Sequence, residues 1–332
     1  MPQGAALILP YQLRLLCLCF ASFFALNLAA ALLVGLVSPA AIRFAESRTA
    51  VAAARLLLAL RVLPLAVAGL FIFGLCVPSY LWLEPAGTSE RVGLLCAFLG
   101  VLGAATWLIA IARTAHSLLA SAFHARRFRL DGHVTRIPGV FRSVVLLDDE
   151  SPLLALFGVF RPRLLISRGV LDSLSGDELE AALLHEQAHR AHRDNAKRLL
   201  LLLAPDAFPF FRPLRNLENA WSRFAEWAAD DQAAAGDSQR AVSLAGALVR
   251  VARMGSPARL PYLSTSLLAC DRDLSARVDR LLKTAPAAHP ALKPSHRRLR
   301  ATGFLLAGCV TASLLAPFVL SSVHELLELL LR

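Results

Sequence analysis

The stretch Leu183-Leu184-His185-Glu186-Gln187-Ala188-His189 decides how this chain is read. It has the form H-E-x-x-H and lies in an apolar-periodic run. On a helix, residues four apart share a face about one turn from each other, so both imidazoles reach a single metal ion. Glu186, directly after His185, lies over the position where a bound water would sit. The spacing supports zinc-assisted hydrolysis of a peptide bond, with His185 and His189 as ligands and Glu186 as general base. The start of the helix is legible upstream. Ser175-Gly176-Asp177-Glu178 fits a capping box, with Ser175 as N-cap and Glu178 reaching back. Leu179, Ala182, Leu183 and Ala188 carry the apolar period, and the pattern predicts a helix to about Leu203, stopped by Pro205.

A third ligand must come from elsewhere. His192 shares the face, but it lies ~10 Å along the axis from His185, too far for one ion with bonds of ~2 Å. The position ten residues after the first histidine is Asn195. A second helix is predicted from Arg215 to Gly236, and it contains Glu226-Trp227-Ala228-Ala229-Asp230. Glu226 and Asp230 are one turn apart. Glu226 would complete a His-His-Glu site, and Asp230 would hold the outer nitrogen of a ligand histidine and fix its tautomer. Glu218 is the alternative, without an aspartate one turn later. A solvated helix face is the plain reading of Glu226, but Phe224, Ala225, Trp227, Ala228 and Ala229 argue for burial, and a buried glutamate needs a partner. For oxyanion stabilisation the residues weighed are Tyr262, Arg277 and His192, each with a structural role as the ordinary alternative.

The 332 residues are 56% hydrophobic and only 18% charged, whereas about a quarter is charged in ordinary soluble domains. The apolar excess sits in four uncharged stretches, 15–37, 62–83, 92–112 and 301–323, each meeting the ~20 residues needed to cross a bilayer. Pro64 and Pro78 are expected kinks in the second. The first is too long for a signal-peptide core and is preceded by Arg14 as its one basic residue, so it reads as a retained anchor. Residues 38–61 carry four arginines against Glu46, net +3; residues 84–91 are net −1. Residues 113–300 carry 28 Lys/Arg against 19 Asp/Glu, net +9, and the tail from His324 is net −1. Positive loops stay in the cytoplasm. Both termini are therefore expected outside, and the 113–300 segment, with the zinc motif, inside.

The net charge of +11 belongs largely to membrane-proximal runs such as Arg126-Arg127-Phe128-Arg129, which suit anionic headgroups. No basic module with a DNA-reading signature stands apart, and no direct nucleic-acid binding is expected. Of six cysteines, five lie in the apolar stretches and Cys270 does not; none forms C-x-x-C, so no disulfide framework is indicated. Short strands are predicted at 133–137 and 143–147, and a hairpin at 154–159 and 163–167 around Phe160-Arg161-Pro162. An edge strand there could take an extended peptide, or the sheet could simply pack on the zinc helix. Leu199 to Phe211 is too short and Pro-broken to span; a dip into the membrane interface and ordinary core both remain open. Further helices are predicted at Arg240–Met254 and Leu274–Lys283, then a Pro/Ala-rich linker from Thr284 to Ser295.

Taken together, Leu156-Phe157-Gly158-Val159-Phe160-Arg161-Pro162-Arg163-Leu164-Leu165-Ile166, Asp177-Glu178-Leu179, His185 to Asp194 and Glu226 to Asp230 resemble the BlaR/MecR-type antirepressor family of integral-membrane zinc peptidases. The resemblance implies zinc held by His185, His189 and Glu226, Glu186 as base, and a structural Asp194. It implies a multi-pass α-helical membrane protein of the bacterial inner membrane. Its four transmembrane helices would comprise three in residues 1–112 and one in 301–332, with a cytoplasmic, mainly α, α+β gluzincin-like peptidase domain at 113–300. The implied partners are the lipid bilayer and a protein substrate, a transcriptional repressor among the candidates; the oligomeric state stays open. Two departures stand out. The extracellular penicillin-binding sensor domain of the beta-lactam sensors is not in the sequence, and Ala229 stands where relatives often have cysteine. HtpX-type quality-control proteases and CAAX prenyl proteases share both motifs, but HtpX-type chains place two spans between them. A non-catalytic zinc-binding scaffold is the remaining alternative, although such a site has no use for Glu186.

Overall fold

The structure, a computed structural model, describes residues 7–8, 10–84, 91–137, 141–160, 162–207, 211–255, 263–267, 274–283 and 317–331. Among the described residues, three helices are long and apolar enough to cross a membrane: α1 (Tyr11–Glu46), α2 (Ala50–Leu83) and α3 (Leu94–Asp131). Their outward faces stay apolar. Leu36 and Phe73 are each 79% exposed, an arrangement that suits lipid and not water. Between α1 and α3 the backbones touch. A Cβ on Gly103 would collide with the Phe20 carbonyl, so only glycine permits this approach. Of the two expected kinks, α2 stays α-helical around Pro64. Before Pro78 it widens into a π turn at Ile72–Cys76, where the Val77 N–H bonds Ile72 O. Proline's missing donor and its ring crowd the preceding turn, and the extra residue relieves this.

Of the fourth apolar stretch, residues 301–316 lie outside the described residues. Its remainder belongs to a helix, Pro317–Leu331, that runs on past Val323, where the sequence suggested a short tail. Leu327 is buried against the bundle, and Ser79 Oγ donates to Leu320 O at 2.9 Å. Packing carries the helix through Glu325 and Glu328.

The remainder is a sheet with helices. The strands are β1 (Gly132–Ile137), β2 (Phe141–Leu147), β3 (Leu154–Phe157), β4 (Arg163–Ser167) and β5 (Ser264–Ser266). Their order is β1-β2-β4-β3-β5, with β2 and β4 parallel and the other pairs antiparallel. The hairpin expected at 154–167 is present, with Leu154 opposite Ile166. Its first strand ends at Phe157 because Gly158 turns to φ 97°, a left-handed conformation that favours glycine. β3 and β4 are buried on both faces. Leu154, Leu156, Leu164 and Ile166 pack toward the helices, while Ala155, Phe157 and Leu165 face the other way with Val145 and Leu147. Strands covered on both sides read as continuous apolar runs, as these do.

Helices α4 (Arg168–Ser173), α5 (Gly176–His192), α6 (Asp194–Leu203), α7 (Arg212–Ala234), α8 (Ser238–Arg253) and α9 (Leu274–Lys283) follow. The predicted capping box opens α5: Ser175 N–H donates to Glu178 Oε2 at 2.9 Å, and Glu178 N–H donates to Ser175 Oγ at 3.4 Å. The zinc-motif helix does not reach Leu203. It ends at His192, because Arg193 takes φ 56°, ψ 42° and starts α6 in a new direction. Helix α7 lays Leu214, Leu217, Trp221 and Phe224 against Val34 of α1 and Ala50, Ala53, Ala54 and Leu57 of α2. Each such large apolar side chain contributes about 1.5–3 kcal/mol on full burial. The turn before α7 is fixed to the same helices. Asn27 Nδ2 donates to Pro205 O at 2.9 Å, Arg61 Nη2 to Asp206 Oδ2 at 3.0 Å, and Arg113 Nη2 to Leu202 O at 3.2 Å. The described part of the 199–211 stretch thus packs on α1, α2 and α3.

Candidate metal centre

His185 and His189 project from α5, one turn apart. Glu226 comes from α7, and all three are at most 1% exposed. The two Nε2 atoms are 3.1 Å apart. Glu226 Oε2 lies 3.6 Å from His185 Nε2 and 3.5 Å from His189 Nε2. Tetrahedral zinc with bonds of ~2.0–2.1 Å separates its ligand atoms by about 3.3 Å, so the triangle has the right edges for one such ion. The three residues form the group able to hold a metal among the described residues.

The surroundings agree with a cation. Glu186 is fully buried, and neither of its carboxylate oxygens, nor either of Glu226, has a hydrogen-bond donor among the described residues. Such an omission costs about 1–3 kcal/mol per group, more when charged, and is rare in a finished core. Burial pushes the Glu186 carboxyl up to about 7, the range suited to a proton acceptor and donor at neutral pH. Burial alone would lower His189, but Glu226 and Asp194 hold it above its ordinary value. Burial would raise Glu226, yet His189, His185 and Arg277 keep it well below the carboxylate range. The cluster as a whole favours positive charge at its centre.

Each histidine is backed by a carboxylate. His189 Nδ1 lies 2.7 Å from Asp194 Oδ2, whose other oxygen accepts from Lys197 Nζ at 2.7 Å. His185 Nδ1 lies 3.0 Å from Asp230 Oδ1. Carboxylates on the outer nitrogens leave both Nε2 lone pairs for a metal. The break at Arg193 explains how Asp194 gets there: the left-handed residue turns the chain so that Asp194 faces back onto His189. That backbone costs a non-glycine residue about 1–2 kcal/mol.

Sequence reasoning undervalued Arg277. It is 1% exposed and grips Asp230 with both arms, Nε to Oδ2 at 2.9 Å and Nη2 to Oδ1 at 2.7 Å. Its Nη1 donates to Leu267 O at 2.9 Å and lies 3.3 Å from Glu226 Oε2. A signal was there: Arg277 stands with Leu274 and Leu281 at i−3 and i+4, on the apolar face of its helix. The rejected ligands are elsewhere. His192 is half-buried outside the triangle, and Glu218 lies 3.8 Å from Arg61 Nε. Tyr262 is outside the described residues.

Residues 148–281 match the profile of the family described as BlaR1 peptidase M56. The match covers 134 of the 332 residues, and over that segment the chain is similar to the M56 peptidases. A search of curated proteins finds no match. The matched segment runs from the end of β2 to α9 and so contains the triangle, Glu186, both backing aspartates and Arg277. The three membrane-length helices precede it.

Proposed function

We propose that this chain is an integral-membrane zinc metalloendopeptidase. The observation that carries the reading is the meeting of Glu226 from α7 with His185 and His189 from α5, beside a buried Glu186 without a donor. Zinc held by these three ligands would acidify water and polarise the scissile carbonyl. Glu186 accepts the proton of the attacking water and returns it to the leaving amine. Asp194 and Asp230 keep the Nδ1 protons in place and orient the rings. Arg277 fixes Asp230 and, by its charge, helps keep Glu226 ionised.

The alternating loop charges support a topology with the peptidase domain on the cytoplasmic side and the N-terminus outside. The family supports the bacterial inner membrane, and a protein substrate in or near the cytoplasm, such as a repressor. The docking of α7 onto α1 and α2 favours a second reading, in which the site cuts membrane proteins at the bilayer surface as a quality-control enzyme. The deciding experiment compares cleavage products in cells carrying wild type and Glu186→Gln, with zinc measured in both purified proteins. Zinc in both and products only from wild type are expected. Identical product profiles would leave a zinc scaffold in place of an enzyme.

A further inference from the structure

At the C-terminal end of α5 the β3–β4 hairpin and the start of α6 enclose an open groove of about 710 Å³. Val159, Phe160 and Pro162 form an apolar wall, and Phe160 is 86% exposed. Arg163, Arg190 and Arg193 line the same groove, and all three are exposed. Among the described residues lining it, the one acidic residue is Asp194, whose oxygens are already engaged by His189 and Lys197, each at 2.7 Å. The walls are pinned together: Asn195 Nδ2 donates to Leu156 O at 3.1 Å and Gly158 O at 2.9 Å. His189 is both a wall of the groove and a corner of the metal triangle.

The geometry points to an exosite here for an acidic, partly apolar segment of the protein substrate. This rests on the endopeptidase reading above. Three cations around one spent carboxylate produce a positive potential that attracts and orients an anionic partner. The volume falls in the range that takes a few side chains, so the occupant is a short extended segment and not a folded domain. Phe160 supplies the exposed aromatic surface such a segment covers. Seated there, it is one side chain away from the reaction centre, and the peptide bond presented to Glu186 is chosen by its neighbourhood as well as by its own residues.

The test uses the full chain carrying Glu186→Gln in phosphatidylcholine nanodiscs. A fluorescein-labelled peptide of Glu, Leu and Ser is compared with a length-matched peptide of Lys, Leu and Ser by anisotropy. The acidic peptide should bind at least about tenfold more tightly, and added salt should erode the difference. Arg163→Glu combined with Arg193→Asn, which tolerates the left-handed backbone, should abolish it; Phe160→Ser should weaken it. Arg253→Glu, on exposed α8 surface, should change nothing. Retained zinc reports that the variants fold. Equal binding of the two peptides overturns the proposal, as does affinity unmoved by the arginine changes. So does binding only of phosphatidylglycerol vesicles, which would make the groove a lipid site. Active wild type that cuts both peptides equally removes the exosite and leaves the peptidase. Selective binding without cleavage by zinc-loaded wild type does the reverse.

Discussion

Two of the buried polar clusters among the described residues are finished to different degrees. Where the 199–211 stretch meets α1 and α2, Arg61 donates to Asp206 and Asn27 donates to the Pro205 carbonyl. In the metal centre, Glu186 and Glu226 are buried, and none of their four oxygens accepts a hydrogen bond among the described residues, although Arg277 Nη1 lies 3.3 Å from Glu226 Oε2. In the first cluster each side chain makes at least one hydrogen bond within the chain, although Arg61 Nε and Asp206 Oδ1 make none. The second is organised by Asp194, Asp230 and Arg277 around a gap in its own pairing. A buried carboxylate hydrogen-bonded to its own chain, like Asp206, serves architecture; one with neither oxygen bonded, like Glu186, marks where chemistry is done.

Substitutions should separate the two clusters by opposite signatures. Glu186→Gln should lower cleavage by about 10²–10⁴ while zinc content and melting temperature hold; a melting temperature that falls with activity would make Glu186 architectural. Arg61→Ala should do the opposite, costing about 1–3 kcal/mol because Asp206 loses its hydrogen bond and keeps Arg113 only at 3.8 Å, read as a lower thermal midpoint in detergent with the ligand triangle intact. Asp194→Asn should weaken zinc binding by about 10–100-fold in competition with a chelator; an unchanged affinity would mean that His189 is oriented without it. Smallest is Ser175→Ala, expected to cost about 1 kcal/mol through the lost cap of α5, with zinc affinity unaltered.

The elements most legible in the sequence were those specified by neighbours in the chain. The capping box, the four-residue histidine spacing, the Glu226–Asp230 turn and the three apolar helices each depend on contacts within a few residues. What was illegible depends on distant partners. Arg193 carries no glycine or asparagine signal, so the break after α5 could not be seen. Ser264-Thr265-Ser266 is a strand because β3 offers it an edge, not because its residues favour one. Arg277 meets His185 across 92 positions; its place on an apolar helix face signals burial, but not which charges it meets there. The helix through Glu325 and Glu328 was read as a tail because charge ends a span on paper, while packing of Leu327 extends it in space.

The docking of α7 has a consequence for how the protein can be taken apart. Two corners of the ligand triangle belong to a helix resting on the sheet, and the third to a helix resting on the membrane bundle. A chain beginning at residue 113 would keep every ligand and lose the floor beneath one of them. Trp221 and Phe224 would face water, an apolar patch that invites association. Glu226 would then be free to drift from the histidines. The excised domain should be sticky and poor in zinc, and the smallest unit that holds its metal should include α1 and α2.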